Sequence, residues 1–187
     1  MKSKLLFKRR NKYSERNLSL NKQYIFDGYI FGQSNHPISS MRYGFFNMSY
    51  NGCELIAVYN ALKYLGFFRP LHKIISDFEK DGYIWLDGVF GTKPQTVGRY
   101  LADNGLQVKR FYSAKQMDKA VKKDRCFIII YAHLRGIHTV MAKGIGENGE
   151  IAVLNRHNNS TGEETVSSVS SLIKEDGIKM IVGYLVG

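Results

Sequence analysis

The hydrophobic period of this chain turns from mainly helical to strand-like near residue 124, and that change restricts the fold more than any other feature. Before it, apart from one short strand, apolar residues recur at helical spacing; after it, they come in short continuous or alternating runs, as strands do. The first helix is expected from Asn51, which with Glu54 fits a capping box as N-cap and N3. Leu55, Ile56, Val58, Tyr59, Leu62 and Leu65 then follow the helical period, and Gly66 stops it. A second helix is predicted over "PLHKIISDFEK", with Pro70 in its first turn, and a third over "KPQTVGRYLADNG", ended by Gly105. "LQVKRFY" alternates as a strand, and Ser113 with Gln116 suggests another capping box opening "AKQMDKAVKK". "CFIIIYA" is continuous enough for a central strand. "GIHTVMAKGIG" and "GEIAVLNR" are separated by "GENG", a tight turn between antiparallel strands, and "KMIVGYLV" closes the chain as a strand. Helices followed by an antiparallel sheet predict an α+β domain. Residues 24–50 have weak periodicity and are expected to be irregular surface chain, and "NRHNNSTGEETVSSVSS" is expected to be a loop.

At 187 residues the chain suits one domain, over 24–187, preceded by a basic arm over 1–23 that is expected to be poorly ordered. The net charge of +11 would suggest nucleic acid were it spread over the domain. The arm holds eight Lys/Arg and one Glu, however, so +7 sits there and only +4 remains for the rest. Nucleic acid is therefore not the expected partner. No apolar run approaches the roughly 18–20 residues of a membrane span, and "LLF" is too short for a secretory signal, so a cytoplasmic location is expected. Cys53 and Cys126 read as free thiols. No Cys/His pair has the short spacing of a zinc site, no phosphate-binding glycine loop is present, and no cofactor is expected.

Cys53 falls in the first turn of the predicted helix, where unpaired N–H groups and the positive dipole end favour a thiolate. Alone, it reads as a small buried hydrophobe. His138 changes that reading, because it opens the strand "HTVMAKGIG", where a side chain at the rim could reach a helix terminus. Asn155 ends the neighbouring strand "IAVLN", and a hairpin through "GENG" sets the two ends side by side. An amide oxygen there could accept the other imidazole N–H and orient the ring. His157 is a rival base, His133 a strand-end residue, and Cys126 core; His36 and His72 have no supporting pattern.

These residues, in this order and spacing, resemble the papain-like cysteine peptidases, in particular the bacterial C39-like peptidases that process bacteriocin leaders. "NGCELIAVYNALKYLG" looks like their nucleophile helix, "HTVMAKGI" like their histidine strand, and "IAVLN" like the strand carrying the orienting residue. The likeness covers roughly residues 45–157. It implies a papain-like fold and amide hydrolysis on a peptide or protein substrate, with a small residue before the cut. Cys53 would be nucleophile, His138 base and Asn155 orienter. The family's oxyanion-hole glutamine corresponds in position to Asn47, with Asn51 as the alternative donor. Where the family usually has glycine after the cysteine, this chain has Glu54, whose charge opposes thiolate formation. The same triad would serve an acyltransferase, and the two departures at Glu54 and Asn47 are what a non-catalytic peptide- or protein-binding module would show.

Overall fold

The computed structural model describes residues 13–146 and 149–187. Helix α1 (13–21) is followed by a small ribbon, β1 (Arg42–Tyr43) and β2 (Phe46–Asn47), and then by the helices α2 (Met48–Asn51), α3 (Cys53–Tyr64), α4 (Leu71–Lys80) and α5 (Pro94–Asp103). Next come β3 (Val108–Phe111), α6 (Ala114–Asp118), β4 (Cys126–His133), β5 (Gly136–Gly144), β6 (Ile151–Leu154), β7 (Glu164–Val166), α7 (Val169–Asp176) and β8 (Lys179–Val186). The main sheet runs β3-β8-β4-β5-β6-β7, antiparallel throughout. This is the α+β arrangement expected from the change of period.

Helix α3 is the axis of the molecule. Every residue from Cys53 to Leu62 is buried, as in a helix covered on all sides. It lies across β4 and β5, and its core joins Leu55, Ile56 and Val58 to Ile74, Phe78, Val97, Ile128, Met141 and Tyr184. A second core, beneath α6 and α7, fills the other face of the sheet with Phe127, Ile129, Val140, Val153 and Leu172. Two predicted helix ends are closed by the same device. Gly66 and Gly105 take left-handed backbone, and the N–H groups of Phe67 and Leu106 return to the carbonyls of Leu62 and Leu101. Gly98 lets α5 lie directly on β8, since a Cβ there would come within 2.3 Å of the Tyr184 ring.

Several expectations need correction. Asn51 is the last residue of α2 and not the cap of α3, because α2 runs into α3 through Gly52 and leaves no room for a capping side chain. Ser113 likewise makes no side-chain cap, and α6 stops at Asp118. Residues 24–50 are not surface chain: Ile30, Ile38, Met41, Tyr43 and Met48 belong to the main core. Within the polar run, Glu164–Val166 pairs with β6, and Ser168 caps α7 by accepting from the Ser171 N–H at 2.9 Å. The predicted turn "GENG" includes 147 and 148, which lie outside the described residues, although β5 and β6 on either side are antiparallel neighbours. Residues 1–12 also lie outside, but 13–21 form a docked helix. Asn17 donates to the Gly44 carbonyl and to Glu79, and Asn21 pairs with both the N–H and the carbonyl of Arg42. Among the described residues, no helix is long and apolar enough to cross a membrane.

Candidate active site

The outer end of β5 meets the first turn of α3 at a cleft of about 770 Å³, lined by Gln33, Ser49, Cys53, Tyr131, His133, His138 and His157 among others. An adjoining pocket of about 340 Å³ shares Cys53 and is walled by Trp85, Val89 and Phe90. That wall is held by Asn51, which donates to the Gly88 carbonyl at 2.9 Å, and by the Tyr50 hydroxyl on Val89. Cys53 is therefore open to an apolar recess on one side and a polar cleft on the other.

His138 is 7 % exposed and its Nε2 lies 2.7 Å from the main-chain carbonyl oxygen of Asn155. A carbonyl can only accept, so Nε2 carries the proton and Nδ1 keeps the lone pair. Burial is the main reason the ring is pushed down to about 4, and at neutral pH it is uncharged. The orienting group is thus the backbone of Asn155, where the sequence suggested its carboxamide. Asn155 has φ 60°, a left-handed conformation that asparagine tolerates better than most residues, and this turns its carbonyl toward the ring. Its side-chain Oδ1 instead accepts the Gln33 N–H at 3.1 Å, and its Nδ2 is buried without a partner among the described residues. The next residue, Arg156, is clamped on α7 by Asp176 at 2.6 Å and Glu175 at 2.7 Å, which fixes the chain that presents the carbonyl.

The sulfur has a different partner. Cys53 Sγ donates to Glu54 Oε2 at 3.2 Å, and both residues are buried. Removal from water, together with the neighbouring carboxylate, holds the thiol well above its ordinary range, reversing the effect expected of a helix terminus. Burial pushes Glu54 up to about 7. The strand period explains which β5 residue faces this pair. Ile137 and Met141 pack on the α3 side and Val140 on the other, so Thr139 shares the face of α3 while His138 shares that of Val140. The Thr139 amide and hydroxyl lie near enough to the sulfur to favour its ionised form, and that hydroxyl is buried with no well-formed hydrogen bond of its own among the described residues. His138 reaches the same cleft because β5 has no β6 neighbour until Met141.

The two oxyanion-hole candidates fare otherwise. Asn47 is exposed, accepts from Arg42 at 2.6 Å, and lines neither pocket that Cys53 lines. Asn51 lines the smaller pocket, but its amide donates to the carbonyls of Tyr43 and Gly88, so both of its hydrogens are committed. The residue that sequence reasoning missed is Gln33. It is buried in the cleft with one amide hydrogen on the Ser49 carbonyl at 2.9 Å, which leaves the second uncommitted among the described residues. Followed directly by Ser34, Asn35 and His36, it has no distinguishing mark in the sequence. Of the other histidines, His157 lies in the cleft but beside Glu164 at 3.7 Å, and His133 stands edge-on to His138 with ring centres 6.3 Å apart. His36 and His72 line neither pocket. Cys126 is core, pushed up to about 12 by burial. Among the described residues no three His, Cys, Asp or Glu side chains are grouped as metal ligands.

No family model matches the sequence, and no curated protein matches it. Among solved structures, the chain is similar to the peptidase domain of Streptococcus ComA, a bi-functional ABC transporter involved in a quorum sensing pathway. That likeness has a TM-score of 0.52 at 9% identity, over 86% of this chain and 98% of that one. It is also similar to a double glycine motif protease from an AMS/PCAT transporter, in complex with the leader peptide, with a TM-score of 0.49 at 15% identity over 72% and 82% of the two chains. The fold is the one shared with that ComA peptidase domain, the α+β fold that the C39-like resemblance implies.

Proposed function

We propose that the protein is a cysteine peptidase acting on a peptide segment laid across the Cys53 cleft. One observation carries this reading: a buried thiol at a helix start and a neutral imidazole, its Nε2–H fixed on a carbonyl, line one cleft in a fold of this class. Cys53 attacks the scissile carbonyl. The oxyanion is received by the Cys53 N–H and the free amide hydrogen of Gln33 in place of Asn47. His138, with its lone pair on Nδ1, serves as a general base, and the Asn155 carbonyl keeps its tautomer. Gln33→Ala should lower kcat by about 10²–10³, the usual effect of removing one oxyanion donor. A small change in KM alone would remove Gln33 from this role.

The direct test is a peptide aldehyde, which captures an attacking thiol as a hemithioacetal. Carbon-13 NMR with a labelled aldehyde carbon should show the hemithioacetal signal, and Cys53→Ala should abolish it. An adduct on Cys126, or none, counts against the reading. A second reading, a peptide-binding module without catalysis, is favoured by the un-ionised thiol beside Glu54. It predicts that Cys53→Ala binds peptide as the unaltered protein does and that neither cleaves it.

A further inference from the structure

We propose that Glu54 is a catalytic residue of this site, the group that receives the Cys53 proton when the sulfur attacks, and that His138 acts afterwards on the hydrolytic water. The inference deepens the peptidase reading and rests on Cys53 being its nucleophile. Four observations converge on it. The hydrogen bond of Sγ runs to Glu54 Oε2 at 3.2 Å, so the acceptor is already in place before any substrate arrives. Both groups are buried in the first turn of α3, Cys53 at 5 % and Glu54 at 3 % exposed. Thr139, from the facing strand, brings an amide and a hydroxyl to the same sulfur, and its hydroxyl also lies near the Glu54 carboxylate. His138 belongs to the opposite face of β5, with its Nε2–H held by Asn155.

The charge balance favours the carboxylate. Passing the thiol proton to His138 would create a buried thiolate, a buried imidazolium and a buried carboxylate together. Passing it to Glu54 moves one negative charge from oxygen to sulfur and leaves the total unchanged, which avoids the cost of new charges away from water. In the acylation step the S–H bond breaks and its proton goes to Glu54. The sulfur lone pair forms the S–C bond, and the carbonyl π pair moves to the oxygen. Collapse of the tetrahedral adduct breaks the C–N bond, and the Glu54 proton leaves with the amine. In deacylation, His138 Nδ1 takes a proton from the attacking water as its oxygen bonds to the acyl carbon. The C–S bond breaks, and the imidazolium returns that proton to the departing sulfur.

Iodoacetamide labelling at neutral pH reads the first proton transfer without any peptide. Glu54→Gln, which is isosteric and uncharged, should slow alkylation of Cys53 by about 10²-fold. Glu54→Asp, which keeps the charge on a shorter arm, should recover most of that loss, and His138→Ala should stay close to the unaltered rate. Thermal unfolding of each variant reports whether it is folded. Alkylation of Glu54→Gln at or above the unaltered rate would show the carboxylate to be only a brake on the thiol and overturn the proposal. Equal slowing by Glu54→Asp and Glu54→Gln, or by His138→Ala and Glu54→Gln, overturns it as well. The aldehyde experiment fails separately: an adduct with no effect of Glu54→Gln keeps the peptidase and removes Glu54. Fast Glu54-dependent alkylation with no aldehyde adduct does the reverse.

Discussion

His138→Ala is expected to lower kcat for peptide cleavage by about 10²–10⁴, the range for loss of a general base. KM should fall with it, because deacylation becomes the slow step and the acyl-thioester on Cys53 accumulates. Rapid acid quench and mass spectrometry of the intact protein would show the acyl group retained. Loss of acylation itself, with no trapped thioester, would place His138 at the first proton transfer instead. The same assay separates the two ways Asn155 can hold the ring. An orienter that works through its carboxamide is lost equally in Asn155→Ala and Asn155→Gly. Here the carbonyl does the holding, at φ 60°, with Nε2 2.7 Å away. Alanine in that conformation costs about 1–2 kcal/mol, whereas glycine adopts it freely. Asn155→Gly should therefore keep more activity than Asn155→Ala, both sharing the lost acceptor for the Gln33 N–H. Equal loss in the two variants would return the role to the side chain.

What the sequence disclosed of this site follows from what side-chain identity can encode. Cys53, His138 and Asn155 could be chosen because a helix start, a strand start and a strand end are local patterns, and the antiparallel β5–β6 pair then brings the last two together. Which atom of Asn155 meets the ring depends on a backbone angle, and no residue pattern states that angle. The oxyanion-hole expectation failed for a related reason. Counting back from Cys53 reaches Asn47, but that residue ends the ribbon strand β2, with α2 between it and Cys53, and its carboxamide accepts from Arg42. Gln33 comes from twenty residues upstream through a segment whose core residues, Met41, Tyr43 and Met48, lack any regular spacing. Fold legibility divides the same way. Gly66 and Gly105 announced their helix ends because only the local turn was at stake. The insertion of β8 between β3 and β4 is a long-range choice that a strand pattern leaves open. Helix α7 is hidden in the sequence because its serines obscure Val169, Leu172 and Ile173, which share one face.

Two buried carboxyls and one buried imidazole set how stability should change with pH. Glu79, fully buried, accepts from Asn17 at 2.6 Å and the Gly44 N–H at 2.8 Å, and its other oxygen has no partner among the described residues. Burial pushes it from an ordinary 4.5 up to about 7, as it does Glu54. A carboxyl raised on folding contributes stability that is full below about 4.5 and lost as the pH climbs through about 7, because the folded state then binds more protons. His138, lowered from 6.5 to about 4, acts in the opposite sense: its contribution is present above 6.5 and lost as the pH falls through about 4. Each shift corresponds to about 3 kcal/mol at most. The imidazole offsets one carboxyl over most of the same window, so the protein should lose about 3 kcal/mol between pH 5 and pH 8. Glu79→Gln keeps an oxygen for Asn17 and Gly44 and removes the titration, leaving Glu54 and His138 to cancel. Urea unfolding at the two pH values should then give nearly equal stabilities for the variant and a clear drop for the unaltered protein. The same drop in both would mean that Glu79 stays ionised in the fold, its charge met by the Asn17 and Gly44 donors that join α1 to the ribbon turn.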